Sequence, residues 1–316
     1  MKPEILVMAA SPSMSVMAQL EQHFVCHHVW QVAPDGRAAF IAGVAPNVRG
    51  VATTGMAGIG AALAAQLPRL EIVAVNGIGV DAVDFAALRP RGIRVTNTPG
   101  VLTDDVADLA VALLLAAARR IPSLDRYVRA GQWQAGMPVK PARALRGKVA
   151  GIYGFGRIGQ AVAARLAAFG LQLRYWQPNV KEGVTVPRAA SLLDLARDSD
   201  YLVVCAPGGA ATRATVDAAV LDALGPEGTL VNIARGSLVD EPALADALAD
   251  GRLGAAALDV FADEPSVPAA LTALPNVVLT PHVGSLTVET RHAMGQLVVD
   301  NLLAHFGGMP LLTPVA

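Results

Sequence analysis

Three short segments late in the chain hold the residue types that carbonyl chemistry on an anionic substrate needs. They are Asn232-Ile233-Ala234-Arg235-Gly236, Asp259-Val260-Phe261 running on to Glu264-Pro265, and Pro281-His282-Val283-Gly284-Ser285. Arginine grips a carboxylate through two parallel N–H bonds and stays charged at every working pH, which lysine cannot match. Histidine exchanges a proton near neutrality, and a carboxylate beside it favours the imidazolium, keeping a proton at hand for a carbonyl oxygen. Taken singly, each has a plain explanation: a helix-flanking charge for Arg235, a turn carboxylate for Glu264, a satisfied histidine for His282. Their order, each after an apolar strand-like run, makes the set informative, because strand ends in an open α/β sheet converge on one crevice.

Upstream lies Gly154-Phe155-Gly156-Arg157-Ile158-Gly159, between the apolar run 149–153 and the helical run 160–169. A bare pattern of this kind is common by chance, and its value comes from the strand-to-helix setting. There the glycines permit a tight turn and close approach of a pyrophosphate, while the helix start supplies free amides and positive potential. A dinucleotide is expected. Sites preferring NAD(H) usually place Asp or Glu about 20 residues further on to accept from the adenosine ribose. The matching stretch here is Tyr175-Trp176-Gln177-Pro178-Asn179, with Arg174 and Lys181 nearby and no carboxylate before Glu182. Nothing repels a ribose 2′-phosphate, which tilts the expectation slightly to NADP(H) over NAD(H), with Gln177 as a neutral ribose contact.

The elements that must position these side chains follow from apolar periodicity. Strand-like runs at 5–9, 48–52, 71–75 and 93–96 alternate with helical stretches such as 59–67 and 82–88, the pattern of right-handed βαβ units. A second series places strands at 149–153, 171–176, 201–205, 228–233, 255–260 and 276–280. Between them, 101–120 reads as one long helix, opened by Thr103-Asp104-Asp105 and closed by Arg119 and Arg120, and 286–306 as a final amphipathic helix returning to the first domain. With 316 residues, two domains are expected.

From residue 53 to residue 305 the chain resembles the D-isomer-specific 2-hydroxyacid dehydrogenases. The motifs that carry the resemblance are Asn76-Gly77-Ile78-Gly79-Val80-Asp81, the glycine loop, Asn232 to Gly236, Asp259-Val260-Phe261 with Glu264-Pro265, and Pro281 to Ser285. The resemblance implies an α/β fold of two doubly wound parallel-sheet domains. A flavodoxin-like substrate domain, 1–98 and 286–316, would wrap around a Rossmann domain, 99–285, with the active site in a cleft and hinges near Thr98 and Leu286. It further implies that Arg235 binds the substrate carboxylate and polarises the keto oxygen, that His282 exchanges a proton with that oxygen, and that Glu264 pairs with His282. Gly77, Ile78 and Gly79 would offer amides to the carboxylate. Phe155, Arg157, Ile158, Gln177, Pro207, Ala234, Asp259 and His282 would join the glycines around the cofactor, with Asp259 at its nicotinamide end. A homodimer is implied, to which the apolar helix 101–120 contributes, and Trp133 is either an interface element or an ordinary packing residue.

The loop Thr53-Thr54-Gly55-Met56-Ala57-Gly58 would face the substrate side chain, Met56 foremost. Among family members the pattern, including the Trp133 to Gly136 spacing, is closest to glyoxylate/hydroxypyruvate and hydroxyphenylpyruvate reductases. Phosphoglycerate dehydrogenases often carry a further regulatory domain, for which no residues are expected after Ala316. Formate dehydrogenases usually have Gln where Glu264 stands. A dinucleotide-sensing, corepressor-like binding protein of the same fold is the reading from another class.

Composition excludes several partners. A net charge of -1 without blocks of like charge argues against nucleic acid. No apolar run approaches the roughly 20 residues of a membrane span. The two cysteines, Cys26 and Cys205, have no metal spacing and fit a reducing, cytoplasmic setting. His23, His27 and His28 cluster about Cys26 in a segment that alternates like a strand and lacks a carboxylate in sequence, so it reads as structural and no metal is expected.

Overall fold

A computed structural model describes residues 2–11, 13–135 and 139–315, so Gly136 lies outside the described residues. Along the chain run β1 (Glu4–Val7), α1 (Met14–His23), β2 (Val25–His28), α2 (Arg37–Val44), β3 (Val48–Thr54), α3 (Ala61–Gln66), β4 (Ile72–Asn76), α4 (Phe85–Leu88) and β5 (Arg94–Thr96). Next come α5 (Thr103–Ala118), α6 (Ile121–Arg129), β6 (Val149–Tyr153), α7 (Arg157–Ala168), β7 (Gln172–Trp176), α8 (Leu192–Arg197), β8 (Tyr201–Val204), α9 (Ala218–Leu224) and β9 (Thr229–Asn232). The series closes with α10 (Glu241–Ala249), β10 (Ala255–Leu258), α11 (Ala269–Thr272), β11 (Val277–Leu279) and α12 (Val288–Phe306). The chain divides into two compact units, Met1–Leu102 with Ser285–Ala316, and Thr103–Gly284.

The first unit is built on a parallel sheet in the order β2-β1-β3-β4-β5, the flavodoxin-like arrangement. Its strands are covered on both faces. Ile5, Val7, Ile72 and Ala74 pack with Leu20 of α1 and Val299 and Leu302 of α12. Leu6, Val73 and Val75, one residue out of step, pack in the opposite core with Ile41 and Leu88. That two-residue period explains why these strands read as continuous apolar runs.

The second unit has six parallel strands in the order β11-β10-β9-β8-β6-β7. A single parallel bridge from Tyr175 to Arg188 extends it beyond β7. Strand order reverses between β6 and β8, the topological switch point at which open α/β sheets bind ligands. Helix α5 lies along α7 and the sheet, burying Val106, Ala107, Ala110, Val111, Leu113, Leu114 and Ala117.

Several expectations are corrected. The helix expected over 101–120 ends at Ala118, because Arg120 takes a left-handed conformation (φ 54°) as the N-cap of α6. The apolar residues of α5 are used inside their own unit; α6 instead buries none of its residues, and Ile121 and Val128 are each 53% exposed. The helix after the glycine loop starts at Arg157 and not Gln160, since Gly156 is already its N-cap. The histidine cluster does meet carboxylates, brought by β1 and α1: His27 Nε2 lies 2.8 Å from Glu4 Oε2, and His28 Nε2 lies 3.3 Å from Glu21 Oε1. Among the described residues no cluster of metal-ligating side chains forms, and no helix is long and apolar enough to cross a membrane.

Candidate active site

In the second unit the three expected side chains stand on loops that follow β9, β10 and β11. After β9, the buried Asn232 organises the turn: its Oδ1 accepts from the Ala234 amide (3.1 Å) and its Nδ2 donates to the Arg235 carbonyl (2.9 Å). Arg235, partly buried, donates through Nη1 to the Ala234 carbonyl at 2.7 Å. At Gly236 an added Cβ would lie 1.8 Å from the Phe261 carbonyl carbon, so only glycine lets this turn press against the loop after β10. That contact seats the loops of Arg235 and Glu264 side by side.

The Glu264 loop is held by two carboxylates. Glu264 Oε1 accepts from the Phe261 amide at 3.0 Å, and Oε1 of Glu241, at the start of α10, accepts from Ala262 at 2.7 Å. Burial raises the Glu241 carboxyl above its ordinary value, the Ala262 amide partly offsets this, and the charges of Glu264 and Asp263 raise it further. Burial pushes the Glu264 carboxyl the same way but is outweighed by the His282 bond, the Phe261 amide and the charges of His282 and Arg235. Glu264 therefore sits below the usual carboxylate range.

His282 Nδ1 lies 2.7 Å from Glu264 Oε2, with the imidazole about a third exposed (33%) and the carboxylate 15% exposed. Since Glu264 is anionic, Nδ1 is the donor, and Nε2 has no partner among the described residues. His282 is left-handed (φ 54°), a conformation the sequence pattern did not suggest. Its amide donates to the Asp259 carbonyl at 2.8 Å, while the buried Asp259 carboxylate accepts from Thr280 Oγ1 (2.6 Å), Val283 N (2.8 Å) and Gly284 N (2.9 Å). The observed partners of Asp259 are thus those of the His282 turn.

At the switch point each glycine of the loop has a separate reason. Gly154 is left-handed (φ 91°), and a Cβ there would reach within 2.5 Å of Ala206. A Cβ on Gly159 would meet the Gly154 carbonyl oxygen at 2.1 Å, whereas one on Gly156 would point into open space. Gly156 gives α7 no side-chain cap, so the first-turn amides face that space with the positive end of a 12-residue helix behind them. This cradle fits a pyrophosphate. Phe155 stacks on Tyr175 (4.5 Å between centroids), Arg157 is exposed, and Ile158 is partly buried. Pro207 is exposed, with its carbonyl accepting from Thr212 Oγ1 at 2.8 Å, and Ala234 is buried.

Gln177 spends its side chain on the loop itself, Oε1 accepting from Phe155 N (3.0 Å) and Nε2 donating to Asn179 O (2.9 Å). Arg174 is paired with Asp198 (3.1 Å), while Lys181 Nζ donates to the Phe155 carbonyl at 3.2 Å. The residue that sequence reasoning missed is Arg188. Its Nη2 reaches back to the carbonyls of Gln177 (2.9 Å) and Pro178 (3.1 Å), set there by the bridge beside β7. Only the strand pairing betrays it, as it lies 11 residues from Gln177 in sequence. Glu241 was likewise unmarked, and Asn232 stood in a motif without a role of its own; both bond backbone groups.

In the first unit, the loop after β3 is closed by Thr53 Oγ1 donating to Gly58 O (2.8 Å) and leaves Met56 60% exposed. The turn after β4 holds Gly77, Ile78 and Gly79, whose carbonyls at 77 and 78 are bonded while the amides of Ile78 and Gly79 have no partner among the described residues.

Residues 111–284 match the family model of the D-isomer specific 2-hydroxyacid dehydrogenase NAD binding domain. The chain belongs to this family. A glyoxylate/hydroxypyruvate reductase of Arabidopsis thaliana is 51% identical over 269 residues, covering 85% of this chain and 86% of the relative. A hydroxyphenylpyruvate reductase of Plectranthus scutellarioides is 48% identical, covering 94% of each. The crystal structure of an NADPH-dependent glyoxylate/hydroxypyruvate reductase from Sinorhizobium meliloti, in complex with NADP and malonate, superposes with a TM-score of 0.90. It is 42% identical and covers 100% of this chain and 97% of that one. This 2-hydroxyacid dehydrogenase is accordingly an NAD(P)-dependent oxidoreductase acting on CH–OH groups. Burial pushes the Cys26 thiol up to about 11 and the Cys205 thiol up to about 12, which disfavours the thiolate at both.

Proposed function

We propose that this dehydrogenase reduces short 2-oxo acids of the glyoxylate and hydroxypyruvate kind, or 4-hydroxyphenylpyruvate, to D-2-hydroxy acids, with NADP(H) preferred to NAD(H). The observation that carries the reading is the 2.7 Å couple of His282 Nδ1 and Glu264, which leaves Nε2 as the free proton-exchanging atom. The nicotinamide supplies the hydride when bound. Arg235 takes the substrate carboxylate and draws electron density from the keto oxygen; within the first unit, the amides of Ile78 and Gly79 are donors suited to a carboxylate and the exposed Met56 is suited to a substrate side chain. His282 gives its Nε2 proton to the oxygen as the carbonyl is reduced, and Glu264 stabilises and orients the imidazolium. Asp259 fixes the His282 turn and would hold the nicotinamide end of the cofactor, which Pro207 and Ala234 would line.

The NADP(H) preference rests on the missing carboxylate at the end of β7 and on Arg188 and Lys181 gathered there. The relative solved with NADP supports it. A homodimer is supported by α6, where Ile121, Leu124 and Val128 share one face at helical spacing and Trp133 beyond it is 69% exposed. Two cysteines in 316 residues fit a reducing, cytoplasmic setting.

The test is to follow NADPH and NADH absorbance separately with glyoxylate, hydroxypyruvate and 4-hydroxyphenylpyruvate. Oxidation faster with NADPH is expected for at least one acid. Tight cofactor binding with no oxidation in any combination would overturn the enzymatic reading and favour a sensing protein.

A further inference from the structure

The turn at residues 77–79 does not stand by itself. Asn97 Nδ2 donates to the Ile78 carbonyl at 2.9 Å, and the next residue's amide, Thr98 N, donates to the Gly77 carbonyl at 2.9 Å. A peptide unit is planar and trans, so its C=O and the following N–H point in opposite directions. Holding the Gly77 carbonyl therefore aims the Ile78 amide, and holding the Ile78 carbonyl aims the Gly79 amide. Those are the two donors in the turn that have no partner among the described residues.

Asn97 is in turn fixed by the chain's last stretch. Thr313 Oγ1 donates to the Asn97 carbonyl at 2.6 Å, and the Asn97 amide donates to the Thr313 carbonyl at 3.3 Å. Thr313 hangs from α12 through the fully buried Asn301, whose Nδ2 donates to Thr313 Oγ1 (2.9 Å) and whose Oδ1 accepts from the amides of Leu312 (3.0 Å) and Thr313 (3.1 Å). Thr96 pairs with Pro314, and Val315 N donates to Val95 O at 2.8 Å, so residues 312–315 lie as an antiparallel extension beside β5. Every polar atom of the Asn301 side chain is used, its remaining N–H going to Leu297 O at 2.8 Å. A chain of hydrogen bonds thus runs Asn301, Thr313, Asn97, Ile78.

We infer that Asn97 is a positioning residue for substrate, and that Thr313 and Asn301 are its supports, together aiming the Ile78 and Gly79 amides at the 2-oxo acid's carboxylate. The inference rests on the proposed role of residues 77–79 as a carboxylate site. Asn97 touches neither substrate nor cofactor. Its loss frees a peptide plane and leaves the proton-exchanging couple unchanged, so the effect falls on the acid's affinity.

Oxalate, an acid that cannot be reduced, is the probe. In ¹⁵N spectra of the NADPH complex, the Ile78 and Gly79 amide signals of the wild type shift saturably on adding oxalate. Asn97→Ala weakens oxalate binding by about tenfold or more, the scale of misaligning a hydrogen bond to a charged group, and Thr313→Val weakens it by a smaller factor. In turnover the same variants raise KM for hydroxypyruvate, with kcat within about twofold of wild type and NADPH affinity unchanged, as removal of uniform binding requires. Thr313→Val is nearly isosteric and keeps the experiment readable if Asn97→Ala folds poorly. Wild-type oxalate affinity in both variants overturns the inference and leaves the carboxylate site standing. Absence of any wild-type response at Ile78 and Gly79 overturns the carboxylate site itself, and the inference with it.

Discussion

At the scale of single residues, the active centre is a balance of charges on few atoms. Glu264 is mostly enclosed, and the upward push of burial on its carboxyl is outweighed by the His282 imidazole, the Phe261 amide and the Arg235 charge. Because its folded value lies below the ordinary 4.5, the stability it contributes is fully present above that pH and is lost as pH falls through the lower folded value. Glu264→Gln does not titrate there. The stability difference between wild type and Glu264→Gln, from urea midpoints, should be flat above about pH 5 and narrow below it. A difference unchanged down to pH 3.5 would mean that Glu264 carries no such depressed acidity. Two neighbours act through backbone amides, Glu241 on Ala262 and Asn232 on Ala234. Side chains that serve backbone groups show no chemistry in their type and spacing, which is why Arg235, Glu264 and His282 had readable roles in the sequence, while Asn232 had only a place in a motif and Glu241 no mark at all.

At the scale of elements, the glycine loop separates two reasons for the same residue type. Gly159 is needed by the fold and Gly156 by what binds. Gly159→Ala should destabilise the protein by about 1–3 kcal/mol, since its Cβ would press on the Gly154 carbonyl. Gly156→Ala should stay within about 0.5 kcal/mol of wild type, yet bind cofactor about tenfold more weakly, because the methyl group would fill the cradle. Thermal melts and cofactor titrations check both, and equal effects of the two variants would contradict the distinction. Apolar periodicity located most strands and the long helices. It failed where conformation overrides pattern: Arg120 in the left-handed region splits 101–120 from α6, Glu4 comes to His27 from β1, 23 residues away, and Glu21 folds back to His28 from the end of α1. Arg188 was hidden for the same reason, since a bridge beside β7 brings it to Gln177.

At the scale of the whole molecule, both units are parallel sheets that leave loops at the carboxyl ends of their strands free to carry chemistry. The buried apolar residues of α5 pack against its own sheet and α7. An exposed apolar face lies on α6. If it meets a second copy, sedimentation at micromolar concentrations should give about twice the 32.5 kDa chain mass, and Val128→Glu should return the monomer. A wild-type monomer across that range would contradict the dimer.

In this mechanism His282 exchanges the proton, while the glycine loop carries most of the hold on the cofactor. His282→Asn tests it most directly, because asparagine tolerates the left-handed backbone at this position but cannot serve as the acid. Single-turnover NADPH absorbance with hydroxypyruvate, and NADPH affinity on the same samples, would be measured side by side. The expected result is a rate about 10²- to 10⁴-fold below wild type with unchanged NADPH affinity. A wild-type rate in His282→Asn, or a loss of rate matched by an equal loss of NADPH binding, would contradict the role given to His282.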